Sequence, residues 1–110
     1  MDERQRRLGV NEALFREVNE RIEAVSETLQ MTSEKIAILC ECGDEGCTER
    51  VEITISDYER IRSDGALFFV RPGHEANDVE DVVERGDGWD VVRKRVGGPA
   101  ELAHDLDPRG

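Results

Sequence analysis

The residues of this sequence best suited to chemistry are three cysteines that lie close together, Cys40, Cys42 and Cys47. Thiolate sulfur is a preferred ligand of zinc, which takes four ligands in a tetrahedron. In a strand, a Cys-x-Cys pair sends both sulfurs to the same side, and the Gly/Asp loop that follows could return Cys47 to that side. The pattern therefore predicts that these three cysteines hold one Zn²⁺ ion.

A fourth zinc ligand must come from another part of the chain, and imidazole is the best candidate chemically. Of the two histidines, His74 follows a Pro-Gly turn at the end of a predicted strand, whereas His104 lies near the C-terminus. We predict His74 as the fourth ligand. His104, a carboxylate such as Asp44 or Glu41, or an open coordination position are the alternatives.

Two different states of the cysteines also fit the sequence. Free buried thiols behave as small apolar groups, but a loop rich in Gly and Asp is a poor place to bury them. A disulfide between Cys40 and Cys47 would leave Cys42 unpaired. An odd number of cysteines without an export signal disfavours a disulfide framework.

Composition restricts the classes of partner. The formal net charge is −11, and nucleic-acid affinity depends mainly on Lys and Arg, so we expect no nucleic-acid binding. No apolar run approaches the ~20 residues that span a bilayer. The N-terminus lacks the apolar centre of a signal peptide. We therefore expect a cytoplasmic protein without membrane attachment.

The segment from residue 11 to about residue 30 has the periodicity of an amphipathic helix. Its apolar residues recur three or four positions apart and form one stripe: Leu14, Val18, Ile22, Val25 and Leu29. An amphipathic helix most often packs on its own domain, and we predict that arrangement. The alternative is an interface with another protein or self-association through this helix.

The remaining segments predict a mostly antiparallel sheet. KIAILCEC and RVEITI alternate with period two, which predicts a β-hairpin with all three cysteines at its closed end. A short helix with a capping box at Ser56 and Glu59 follows, and it should turn Tyr58 and Ile61 inward. ALFFV predicts a strand. Residues 78–85 fit a helix or a strand, and the GDG turn before WDVVRKR favours a hairpin.

These elements predict an α+β fold, with a long N-terminal helix packed on a small, mostly antiparallel sheet that carries a zinc-tipped β-hairpin. We place one zinc-binding domain at residues 11–95, between a disordered N-terminus at 1–10 and a flexible acidic tail at 96–110. Trp89 should anchor the core. Arg60 and Arg62 should pair with acidic residues on the surface.

Several segments, in this order, resemble a family of small bacterial proteins of actinobacterial-type genomes: CECGDEGCTERVEIT, DYERIR, FFVRPGHE and WDVVRKR. The resemblance covers about residues 11–95. It implies that Cys40, Cys42, Cys47 and His74 act as one set. It implies no substrate and no partner.

Four protein ligands would leave no bound water to activate, so the sequence favours a structural zinc site in a protein-interaction or regulatory module over an enzyme. A zinc hydrolase is disfavoured, because HEAND begins like H-E-x-x-H but has Asp78 where the second histidine should be. A zinc-thiolate redox switch also fits the three cysteines. Acidic neighbours such as Asp44 and Glu45 should raise the thiol pKa values and slow oxidation.

Overall fold

The computed structural model describes residues 1–28 and 35–110. Three helices and five strands lie in these two ranges: α1 (Glu3–Thr28), β1 (Lys35–Leu39), β2 (Arg50–Thr54), α2 (Ile55–Arg62), β3 (Leu67–Val70), β4 (Glu80–Arg85), β5 (Asp90–Lys94) and α3 (Gly98–Asp105). The predicted α+β class is confirmed. All described strand pairs are antiparallel, but they form two sheets, β1-β2 and β3-β5-β4.

The predicted β1-β2 hairpin is confirmed, with Ile36 opposite Ile53 and Ile38 opposite Val51. These four side chains are buried, whereas the alternate residues of both strands face outward. The connection between β1 and β2 holds all three cysteines. Period-two alternation therefore identified both the strands and the face that packs into the core.

Helix α2 begins two residues earlier than a capping box at Ser56 predicts. Thr54, not Ser56, is the N-cap, and its hydroxyl oxygen accepts a hydrogen bond from the Asp57 N–H at 3.1 Å. The prediction of a cap at Ser56 was wrong because Thr54 offers the same hydroxyl chemistry at the end of β2. Tyr58 and Ile61 are buried, as predicted.

The second sheet supplies most of the aromatic core. The hairpin predicted over residues 78–94 is confirmed as β4 and β5, and β3 pairs with the other edge of β5. Phe69 stacks on Tyr58 with ring centres 5.7 Å apart, and it meets the edge of Trp89 at 5.8 Å. Trp89 is buried, as predicted. These rings close the space between α2 and the sheet.

Helix α1 packs on the domain with its polar side, and the predicted orientation of the helix was wrong. Leu14, Val18 and Val25 are 55%, 38% and 59% exposed, and of the described residues in the stripe only Ile22 packs against the core. Leu29 lies outside the described residues. The buried side of α1 consists largely of polar residues: Glu12, Arg16, Asn19, Glu23 and Ser26.

The polar side of α1 is buried because Glu12, Arg16, Asn19 and Ser26 find hydrogen-bond partners there. The Arg16 guanidinium donates to the carbonyl oxygens of Gly65 and Ala103 at 2.7 and 2.8 Å, and it lies 4.5 Å from the centre of the Phe68 ring. A buried polar group is tolerated when its hydrogen bonds are made. Hydrogen bonding therefore decides the rotation of the helix.

Both ends of the chain contain helical structure. Residues 3–10, expected to be disordered, form the first turns of α1, and part of the expected tail forms α3. Pro99 near the start of α3 suits a first helical turn, where its missing N–H costs nothing. Arg109 donates to the Glu20 carboxylate at 3.0 Å.

None of the helices within residues 1–28 and 35–110 is long and apolar enough to cross a membrane.

Candidate metal centre

The structure brings the side chains of Cys40, Cys42, Cys47 and His74 together. Their three sulfurs and one imidazole nitrogen all lie within 4.8 Å of one another. His74 Nδ1 is 3.5 Å from Cys40 Sγ and 3.6 Å from Cys47 Sγ. All three cysteines are free, so a Cys40–Cys47 disulfide is not supported. The four groups are positioned to bind a metal ion.

The connection after β1 positions the three sulfurs. The Cys40 N–H donates to the Glu49 carbonyl at 3.1 Å and so extends the hairpin by one hydrogen bond. Gly43 then turns the chain with a φ of 78°, a conformation that favours glycine. A further bond from the Cys47 N–H to the Asp44 carbonyl, at 3.0 Å, closes the loop and returns the third sulfur to the first two.

A tight turn after β3 delivers the imidazole. The His74 N–H donates to the Arg71 carbonyl at 3.0 Å, and Gly73 has a φ of 88°. Proline followed by a glycine at positive φ is typical of a type II turn, as the sequence predicted. The turn reverses the chain at the end of a fully buried strand. His74 therefore projects from a hydrogen-bonded turn next to a buried strand.

Glu41 lies between two of the candidate ligands in sequence, but its side chain makes its hydrogen bonds in the interior of the domain. Its carboxylate accepts hydrogen bonds from Arg62 at 2.5 Å, Asn19 at 2.8 Å and the Phe69 N–H at 2.9 Å. Glu41 and Arg62 are both fully buried. Alternation along the chain explains this placement, since neighbouring side chains point to opposite faces. Glu41 thus joins α1, α2 and β3 behind the site.

Neither Asp44 nor His104 joins the cluster as a fourth ligand. Asp44 Oδ1 accepts a hydrogen bond from the Gly46 N–H at 2.9 Å and so stabilises the loop. The ring of His104 lies instead near Gly65. Of the described histidines and carboxylates, only His74 joins the three sulfurs.

The expectation that a loop rich in Gly and Asp is a poor place to bury thiols was wrong for two of the three cysteines. Cys40 and Cys42 are 2% and 5% exposed, and they pack in an apolar cluster with Phe68 and Val70. Cys47 is only partly buried. The loop folds back on the second sheet, a placement that the Gly/Asp composition of the loop did not reveal.

The close approach of the three sulfurs gives the cysteine thiols unequal pKa values. A hydrogen bond from the Cys40 thiol, helped by the Asp44 N–H, lowers the pKa of Cys42 to about 5 despite burial. The same bond and burial raise the pKa of Cys40, and burial raises the pKa of Cys47. The Arg71 N–H also donates to Cys40 Sγ at 3.2 Å. Neighbouring thiols resist ionising together, and a divalent cation would favour all three thiolates.

Sequence reasoning missed the buried polar residues that hold α1 against the site. The loop rests directly on this helix, because a side chain at Gly43 would meet Leu8 and Glu12. Lys94 donates to Glu12 at 2.6 Å and to Glu80 at 3.0 Å, with all three buried. Burial foremost, and then the charge of Glu80, raise the pKa of Glu12 well above its usual value.

Of the two arginines expected at the surface, one lies there and the other is buried. Arg60, which is exposed, pairs with the half-buried Glu84 at 2.6 Å, as predicted. Arg62 is 1% exposed, so the prediction of a surface pair was wrong for this residue. It stacks on Tyr58 at 4.8 Å and neutralises Glu41.

The sequence does contain a signal for the buried polar side of α1. The spacing of four polar residues is as regular as that of the apolar stripe: Glu12, Arg16, Asn19 and Glu23.

Comparison of this chain with protein-family models, with curated proteins and with solved structures gave no match in any of the three.

Proposed function

We propose that this chain is a small protein-interaction or regulatory module that holds a structural zinc ion with Cys40, Cys42, Cys47 and His74. The observation that carries the proposal is the spacing of the ligand atoms. Zinc bonds of about 2.3 Å to sulfur and about 2.0 Å to nitrogen place tetrahedral ligands about 3.5 Å apart. His74 Nδ1 lies 3.5 Å and 3.6 Å from two of the sulfurs.

The chemistry of the four groups favours zinc among the common cellular cations. Thiolate and imidazole suit zinc, whereas calcium and magnesium prefer oxygen ligands. The N–H of Arg71 supports the sulfur of Cys40 from outside the set, as surrounding hydrogen bonds do in metal sites. The motifs that resemble the small bacterial family contain all four residues, and we include membership of that family in the proposal.

A set of four protein ligands supports a structural role over a catalytic one. A closed tetrahedral sphere leaves no position for a water molecule, which a zinc hydrolase needs as its nucleophile. The four groups come from the β1-β2 connection and from the turn after β3. Zinc would therefore cross-link two segments that belong to different sheets.

The exposed apolar side of α1 supports an interaction role. Soluble monomers rarely leave contiguous large apolar patches exposed, and such patches often mark binding surfaces. This side lies opposite the polar residues that fasten the helix to the domain. An interaction through it would leave the metal centre undisturbed.

The zinc proposal is tested by metal analysis of purified protein together with a pair of histidine variants. We expect about one zinc per chain in the parent. His74→Ala should lower zinc affinity at least 10-fold and lower the melting temperature, since it opens one coordination position. His104→Ala, the matched control, should retain the zinc content and affinity of the parent. Full zinc affinity in His74→Ala would remove His74 from the ligand set.

A zinc-thiolate redox switch is the second candidate function, and the partial exposure of Cys47 favours it. An open cavity of about 350 Å³ also reaches Cys42 and His74. Hydrogen peroxide would accept two electrons from a pair of cysteine thiolates and two protons from solvent to give two water molecules, while a disulfide forms between the two sulfurs and zinc is released. We expect zinc release on peroxide treatment and rebinding after thiol reduction. Retention of zinc under peroxide would rule out the switch.

A further inference from the structure

Helix α1 is amphipathic, but its polar side faces the domain and its apolar side faces outward, the reverse of the usual arrangement. Its polar side is buried by hydrogen bonds and ion pairs, and its apolar side is exposed along the helix. At 1.5 Å per residue, the exposed stripe from Val10 to Val25 is about 22 Å long. The buried hydrogen bonds prevent the helix from rotating to hide this stripe, so the stripe is available to a second molecule.

The exposed side of α1 also contains a recess. A cavity of about 180 Å³ lies between α1 and the end of α3, lined by Val10, Ala13, Leu14, Glu17 and Leu106. Leu106 is itself 42% exposed. A recess bordered by apolar side chains next to an exposed helix is suited to a small apolar side chain from a facing helix, as in the packing of knobs into holes.

We propose that a second copy of this chain covers the stripe, with the two α1 helices antiparallel about a two-fold axis near the level of residue 19. This inference rests on the proposed interaction function and deepens it by naming the partner. The pairing would place Val25 of each copy at the recess beside Leu14 of the other. Both copies present the same surface, as a two-fold interface requires.

The charges on the stripe favour the antiparallel direction. Glu17 and Arg21 are exposed and lie 3.5 Å apart in one chain. Antiparallel pairing would bring Glu17 of one copy beside Arg21 of the other, and would do so twice. Parallel pairing would set Arg21 against Arg21, an arrangement of like charges that is disfavoured. Charge complementarity therefore selects one orientation.

The test measures the mass of the full, zinc-loaded chain by sedimentation over a range of concentrations. We expect a reversible dimer. Val18→Glu should raise its dissociation constant about 100-fold or more, because a buried carboxylate replaces an apolar contact in both copies. Val96→Glu is the matched control, since Val96 is fully exposed outside the stripe, and it should dimerise like the parent.

Charge reversal tests the direction of the helices. Arg21→Glu should weaken the dimer about 10-fold, and the double variant Glu17→Arg/Arg21→Glu should restore it, because the pairs between copies are reformed with exchanged signs. Failure of the double variant to restore the dimer would overturn the antiparallel arrangement. Far-ultraviolet circular dichroism should confirm that each variant is folded.

Two outcomes would overturn the inference of self-association. They are a parent that stays monomeric at its highest soluble concentration, and a folded Val18→Glu that dimerises like the parent. A zinc-loaded monomer would refute this inference alone. A dimer that binds no zinc but is weakened by Val18→Glu would refute the zinc proposal alone.

Discussion

Glu41 illustrates what a single residue contributes between two metal-binding positions. Its neighbours Cys40 and Cys42 face the candidate metal centre, while its own carboxylate accepts hydrogen bonds from Arg62 and Asn19 in the interior. From sequence it was only an acidic loop residue or a possible fourth ligand. Local alternation predicts that Glu41 points away from the cysteines. It does not predict the buried partners, which come from remote segments.

Replacing Glu41 by Gln tests this interior role. The change keeps the shape of the side chain but leaves the Arg62 guanidinium buried without its counter-charge. We expect the free energy of unfolding to fall by about 3–5 kcal/mol, measured by denaturant titration of the zinc-loaded protein.

The control for Glu41→Gln is Glu52→Gln at an exposed position of β2, which should change stability by less than about 0.5 kcal/mol. Adding Arg62→Met to Glu41→Gln should recover part of the loss, because an apolar side chain needs no counter-charge. Equal stability of the two glutamine variants would contradict the role given to Glu41.

Among the elements, those governed by local chemistry could be predicted from sequence. The alternating strands β1 and β2 and the Pro-Gly turn before His74 depend on neighbouring residues, and the structure has them as expected. Helix α1 could be predicted as a helix, but its rotation could not. Both of its sides have helical periodicity, and only the partners of Arg16, Asn19 and Glu12 decide which one is buried.

The turn that carries His74 can be tested through its glycine. Gly73 has a φ of 88°, and a side chain there would meet nothing within 4 Å, so Gly73→Ala adds backbone strain without a clash. We expect a loss of stability of about 1–2 kcal/mol. We also expect zinc binding about 10-fold weaker, because the imidazole shifts. Calorimetry and competition with a chromogenic chelator measure the two effects.

Two alanine variants serve as controls for Gly73→Ala. Gly97 also has a positive φ, of 106°, with nothing nearby, but it lies away from the site, so Gly97→Ala should lose stability and keep zinc affinity. Gly46→Ala would make only an ordinary contact with Asp44 and should change little. If Gly73→Ala and Gly97→Ala bound zinc equally well, the turn would not be what positions His74.

At the scale of the whole molecule, buried ionic contacts join segments that are distant in the chain. Lys94 links α1 to the second sheet through Glu12 and Glu80, and Arg16 links α1 to α3 through the Ala103 carbonyl. These contacts hold the helices at both ends of the chain, where the sequence predicted a disordered N-terminus and a flexible acidic tail. A formal net charge of −11 suggested a solvated acidic surface. The net charge does not reveal how many of the charged side chains are buried.

The sequence by itself determined the α+β class, the strands and turns, and the candidacy of Cys40, Cys42, Cys47 and His74, because residue spacing and glycine chemistry act over short distances. The tertiary structure decided that the His74 ring joins the three sulfurs, that Arg62 neutralises Glu41 inside the domain, and that α1 exposes its apolar side. Each of these depends on the free energy of burying polar groups that only folding brings together.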